Sequence, residues 1–221
     1  MKTEIKGGKA FSYVNVDLAP GDALVTESDA MSSMAADLDL SAQLNGGFFT
    51  GLLRKFLGGE TLFISKFTNN TDGERRLTIV QPTPGEIKEV ALSGDMLCLQ
   101  PGAFLACTEG VTLGLKFAGF TSFIAREGLF KLIVGGHGTV WYGAYGALLE
   151  KEIDGEYIVD TSHLVAYDPS IQLKLQLAGG IFSSMFGGEG LVTRVVGKGK
   201  IVIQTRSIAG LTSWINPKLP L

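Results

Sequence analysis

Leu129-Phe130-Lys131-Leu132-Ile133-Val134-Gly135-Gly136-His137-Gly138-Thr139-Val140 is the stretch that decides how this 221-residue chain is built. Leu129 to Val134 is nearly all apolar and rich in aromatic and β-branched side chains, the pattern of a strand covered on both faces. The Gly-His-Gly that follows supplies positive φ for a tight hairpin. The same order recurs farther along: Leu191 to Val196, then Gly197-Lys198-Gly199, then Lys200 to Thr205. That last run alternates polar and apolar residues and predicts a half-buried strand. An earlier counterpart runs from Leu62 to Phe67 and then substitutes a polar loop, Asn69-Asn70-Thr71-Asp72-Gly73-Glu74.

Outward from these runs the parallel continues. A glutamate stands ahead of each one, at Glu60, Glu127 and Glu189. Farther upstream each copy opens on a glycine turn (Pro20-Gly21-Asp22, Ser93-Gly94-Asp95 or Asp154-Gly155-Glu156) followed by an apolar strand. Four features in one order predict an internal triplication over residues 21–80, 94–146 and 155–206 of a single domain spanning 1–221. Such a unit is too long for a solenoid rung and suits a small β-sandwich lobe. No Pro/Ser-rich linker separates the copies, so three pseudo-symmetric lobes with one continuous core are expected. The fold class is all-β.

Composition bounds what such a fold can do. Hydrophobic residues make up 45% and charged residues 19%, ample for a packed core. A net charge of -3 argues against a dedicated nucleic-acid binder. Met1-Lys2-Thr3-Glu4-Ile5-Lys6 leads into no apolar run, so no signal peptide is expected and the reading is cytoplasmic. Leu132 to Leu149 carries no formal charge, but its glycines and His137 make it two strands rather than a membrane span. Cys98 and Cys107 are too far apart in sequence for a CxxC site and read as buried, inert thiols.

One segment is helical in pattern. In Gly46 to Gly59 the apolar pairs Phe48/Phe49, Leu52/Leu53 and Phe56/Leu57 recur every four residues, with Arg54 and Lys55 opposite. Gly179 to Gly188 is a shorter version. Both predict short helical crossovers. The apolar face is the candidate interaction surface, toward its own core, a second copy, a protein partner or a membrane surface.

Catalytic chemistry is thinly represented. Asp160, Thr161, Ser162 and His163 are neighbours on one short stretch, whereas a triad converges from separate segments. His163 therefore reads as a turn residue at a strand start, and His137 as a hairpin tip. Glu60, Glu127 and Glu189 would form a carboxylate ring if the lobes obeyed a threefold, but a residue repeated in every unit serves the unit first. They are assigned as structural carboxylates. No phosphate loop is present, because the Gly-rich stretches precede strands. Arg194, Lys198, Lys200 and Arg206 lack interleaved aromatics and read as a solvated edge. No catalytic, metal or cofactor residue is assigned.

Gly58-Gly59-Glu60-Thr61-Leu62-Phe63, Val159 to Tyr167, Gly188-Glu189-Gly190-Leu191-Val192 and Gly197 to Arg206 together resemble the altered-inheritance-of-mitochondria family. That family joins bacterial and archaeal members to fungal mitochondrial ones. The resemblance runs from about Gly21 to Arg206. It implies a β-sandwich like that of the tryptophan-RNA-binding attenuation protein, and it carries over no catalytic residue set. RNA binding does not follow from the fold. The expected role is a non-enzymatic structural or interaction protein that self-associates. The alternative is a small-ligand or lipid-headgroup module at the junction of lobes, with an enzyme third.

Overall fold

In Tyr13-Val14-Asn15-Val16-Asp17-Leu18 the apolar residues alternate with polar ones, and Val14, Val16 and Leu18 are fully buried. This period of two recurs throughout the computed structural model, which describes residues 1–43, 64–117, 130–177 and 191–219. The strands are β1 (Lys2–Lys6), β2 (Tyr13–Leu18), β3 (Ala23–Glu27), β4 (Met31–Met34), β5 (Asp39–Gln43), β6 (Ile64–Thr68) and β7 (Arg75–Val80). They continue with β8 (Ile87–Leu99), β9 (Phe104–Thr108), β10 (Val111–Phe117), β11 (Phe130–Gly143) and β12 (Leu148–Asp160). Last come β13 (Leu164–Tyr167), β14 (Gln172–Leu177) and β15 (Leu191–Gln204). The protein is all-β, as expected.

A four-stranded sheet has the order β1-β2-β7-β4, and an eleven-stranded sheet follows β12-β15-β13-β8-β11-β9-β3-β6-β5 with β10 on β11 and β14 on β15. The long strand β11 runs antiparallel to β8 and also takes β9 and β10 as partners. Strand β15 has the matching set, β12, β13 and β14. Near the N-terminus two shorter strands divide that work: β7 pairs with β2 and β4, while β6 pairs with β3 and β5.

The glycine stretches correct the sequence reading. Gly94 and Gly155 do not turn the chain; they lie inside the continuous strands β8 and β12. Nor is Gly136-His137-Gly138 a hairpin, and Gly197-Lys198-Gly199 likewise sits in the middle of β15. Their φ values are positive, at 95° and 147° for Gly136 and Gly138 and 138° and 155° for Gly197 and Gly199. The physical reason lies in the partner strand. Gly155 pairs directly with Gly197, and the β8–β11 register slips between Gly135 and His137, so both strands bend together instead of reversing. In the N-terminal region the same level is an outright break, where Gly21 N–H donates to Asn69 O and Asn69 N–H to Asp22 O.

Among the described residues the core has three clusters. One gathers Val14, Leu18, Leu77 and Ile79 of the small sheet against Phe67, Leu105 and Trp141 of the large one. A second holds Leu132, Val134, Phe104, Tyr142 and Val202, and a third Ile153, Val195, Tyr167 and Ile201. Leu132 and Val134 face the second cluster while Ile133 packs on the third, so that strand is covered on both faces as expected. Lys200 to Thr205 departs from its half-buried expectation for the same reason. Ile201 and Val202 are consecutive and both buried, one in each cluster. Helix α1 (Ile208–Ile215), capped by the Ser207 hydroxyl accepting from Gly210 N–H, follows the last strand.

Candidate functional site

The Phe48, Phe49, Leu52, Leu53, Phe56, Leu57 face lies outside the described residues, and so do Glu60, Glu127 and Glu189. The strands flanking those stretches are described. The glutamates come shortly before β6, β11 and β15, each on a connection between two antiparallel partners.

The groups with chemical potential are occupied in holding the fold. The Asp160 carboxylate accepts from Ser162 N–H at 2.8 Å and from the Ser162 hydroxyl at 2.6 Å, capping the 3-10 turn Thr161–His163. His163 Nδ1 lies 2.6 Å from the Gln204 carbonyl and donates to it. The Gln204 amide returns a bond to Ser162 O at 2.9 Å. Aspartate, serine and histidine are thus fixed side by side to the end of β15, and the serine hydroxyl is spent on the aspartate. His163 sits in the turn that leads into β13, where the sequence put it. His137 is exposed within β11.

Cys98 and Cys107 are reduced and buried, and burial pushes the Cys107 thiol up to about 12. At neutral pH it stays protonated, without the thiolate that nucleophilic or metal chemistry needs. Among the described residues no group of three His, Cys, Asp or Glu could hold a metal ion.

The basic residues of β15 are matched by acids on β12. Arg194 meets Glu156, Lys198 lies 3.1 Å from Asp154, and Lys200 reaches Glu150 at 3.6 Å and Glu152 at 3.9 Å. Glu150 also meets Lys88 of β8, and its hydrogen bond from that ammonium holds the carboxyl below its usual range. Arg206 is exposed.

Two surface features escaped the sequence reading. An open cleft of about 410 Å³ is lined by Phe11, Tyr13, Ser32, Val80, Pro82 and Pro84. Phe11 is 70% exposed at its rim. Its one sequence signal is Pro82-Thr83-Pro84, which keeps a surface segment out of the sheet. The second feature is a set of strand edges with no partner among the described residues, on β1, β4, β5, β10, β12 and β14. The charged run Glu150, Lys151, Glu152, Asp154 and Glu156 is the sequence mark of the β12 edge.

The described residues thus form an antiparallel β protein in which Asp160, Ser162 and His163 are tied together at strand ends. A family model described as mitochondrial biogenesis AIM24 matches residues 3–206, and the chain belongs to that family. An uncharacterized protein from Streptococcus pyogenes serotype M6 is 27% identical over all of this chain and 92% of its own length. A crystal structure of another Streptococcus pyogenes protein, a structural-genomics target, superposes with a TM-score of 0.81 at 25% identity, covering 99% of both chains. No helix among the described residues is long and apolar enough to cross a membrane.

Proposed function

We propose that the protein is a non-enzymatic β scaffold that works by association, with copies of itself first. The observation that carries this reading is the Asp160–Ser162–His163–Gln204 network. The residues best suited to general acid–base work have their hydrogen bonds directed at one turn and one strand end. The β12–β15 charge pairs point the same way, because all three basic residues of the last strand already face carboxylates rather than a phosphate backbone.

The threefold construction belongs to the same proposal. Its support is a shared irregularity. In β9 the register steps over Leu105, in β13 over Val165 and in β4 over Ser32, each time opposite the strand that pairs with it. A single-residue bulge at one level in three strands is a feature of a copied unit.

A second reading, as a module for a small ligand or lipid headgroup, is favoured by the Phe11–Pro84 cleft. Native mass spectrometry of the purified protein separates the two. Scaffolding predicts bare chain masses, singly or as multiples, and His163→Gln leaves stability within about 1 kcal/mol because a partly exposed turn residue is altered. A stoichiometric bound small molecule would replace the first reading with the second.

A further inference from the structure

Resting on the scaffold reading, we infer that the outer edge of β4 in one copy pairs antiparallel with the second half of β12 in another, joining copies head to tail. The argument comes from two junctions the chain already makes. Strand β9 pairs with β11 on one side and β3 on the other, opposing Ala106 to Thr26 and Cys107 to Val25. Strand β13 pairs with β15 on one side and β8 on the other, opposing Ala166 to Leu99 and Tyr167 to Cys98. Ala106 and Ala166 both come directly after the bulge. Thr26 and Leu99 both stand five residues beyond the glycine at the bend, Gly21 or Gly94.

Strand β4 is the third member of this set, with its bulge at Ser32, and β12 is the third acceptor, with its bend at Gly155. Among the described residues β4 pairs only with β7 and β12 only with β15. One donor edge and one acceptor edge remain. They lie at the ends of different sheets, β4 on the four-stranded one and β12 on the eleven-stranded one, and a contact between two unlike edges is heterologous, closing a ring or extending a filament. The transferred register opposes Ser33 to Asp160, Met34 to Val159 and Ala35 to Ile158.

Burial and charge agree with this occupant. The four residues Phe104–Cys107 and all four of β13 are buried, whereas Met31, Ser32 and Ser33 of β4 are exposed. On the acceptor side Ile158 is 45% exposed, while its counterpart Leu24 is fully buried beneath β9. The part of β12 before Tyr157 carries Glu150, Lys151, Glu152, Asp154 and Glu156, which guard a strand edge against pairing. Tyr157-Ile158-Val159 carries no charge, and neither does Met31-Ser32-Ser33-Met34. Within the required register Asp160 is the one ionisable residue, and it faces Ser33. A second copy of this chain supplies the matching edge without any new surface.

The test uses the full chain and two variants at exposed positions, Ile158→Lys to block the acceptor and Ser33→Asp, which sets like charges opposite Asp160, to block the donor. Wild type should sediment as a species larger than one chain. Each variant alone should sediment as a monomer with an unchanged thermal melt, its association midpoint raised at least tenfold in concentration. An equal mixture should give a one-to-one dimer that grows no further, because one intact donor and one intact acceptor remain. A second variant, Ala35→Cys with Ile158→Cys, should form disulfides between chains on mild oxidation, since directly opposed strand residues meet the Cα separation of a disulfide. A monomeric wild type, a variant that keeps the wild-type oligomer, or a mixture that stays monomeric would each overturn the pairing. A monomer with no bound molecule would end this inference and leave the non-enzymatic reading intact. A bound ligand on a head-to-tail oligomer would do the reverse.

Discussion

Residues 13–80 and residues 87–143 solve one geometric problem in two ways. Both carry a strand pair past a sharp bend, the earlier one from the small sheet to the large and the later one within the large sheet. The later region keeps β8 and β11 continuous and bends them at Gly94, Gly136 and Gly138. The earlier one cuts each strand in two and bridges the cut with Asn69, which is fully buried. Its side-chain amide donates to Leu18 O and Gly73 O, both at 2.8 Å, and its side-chain oxygen accepts from Thr71 N–H at 3.0 Å and the Thr71 hydroxyl at 2.7 Å. A corner made of glycine costs backbone entropy and leaves no side chain to pack. A corner made of loops needs one polar side chain to satisfy the amides and carbonyls that the ladder has abandoned. Strand-pairing order is the same in both, so pairing and corner chemistry are separable.

The largest effect is expected at the glycine corner. In Gly136→Ala the new Cβ would meet the Gly110 carbonyl oxygen at 2.6 Å, on a residue whose φ is 95°. That oxygen already accepts from His137 N–H, so it has little freedom to retreat. Strain and overpacking together should cost about 3 kcal/mol or more, read as a lower urea midpoint. A loss below about 1 kcal/mol would mean the bend does not depend on glycine.

Next comes the bridged corner. Asn69→Ala strands two carbonyls and the Thr71 amide at once, and should cost about 2–3 kcal/mol in the same titration. An unchanged midpoint would show that water or a shifted loop replaces the side chain. Gly21→Ala provides the contrast. Its φ is 83°, but nothing lies within 4 Å of the added carbon, so only about 1 kcal/mol of backbone strain is expected.

The smallest effect concerns charge, which ties β8, β12 and β15 but has no counterpart at the Asn69 bridge. Glu150 carries a depressed pKa because Lys88 and then Lys200 favour its ionised form. A depressed carboxyl stabilises the fold above its unfolded value, and that contribution fades as pH falls through the lower folded value. Glu150→Gln should therefore lose up to about 1 kcal/mol at pH 7, with the difference from wild type vanishing as the pH drops below about 4. A gap that widens in acid would contradict the sign.

Much of this was legible in the residues. The solid apolar run before Gly135 named a strand and its two covered faces, because side-chain direction is a local property. The turn at His163 was legible too, from Asp160 and Ser162 beside it. Gly136-His137-Gly138 was misread because positive φ looks the same in a hairpin and in a bent ladder. Only the opposing strand, far away in sequence, tells them apart. Lys200 to Thr205 was misread for a related cause, since a second covering layer is invisible in the run itself. Helix α1 had a local signal, Ser207 before an apolar period, that went unused. The cleft and the unpaired edges are products of assembly, with Pro82-Thr83-Pro84 and the charged run of β12 as their only traces.

Trp141 is the largest fully buried side chain and belongs to the core cluster of the first region, although β11 carries it. Its indole N–H donates to Glu89 Oε2 at 2.8 Å, which fixes it against β8 as well. During synthesis β1 to β7 leave the ribosome long before residue 141 does. The opening third of the molecule must wait with a gap the size of an indole in its interior, so its final packing comes as a late and cooperative event rather than as the first step of assembly.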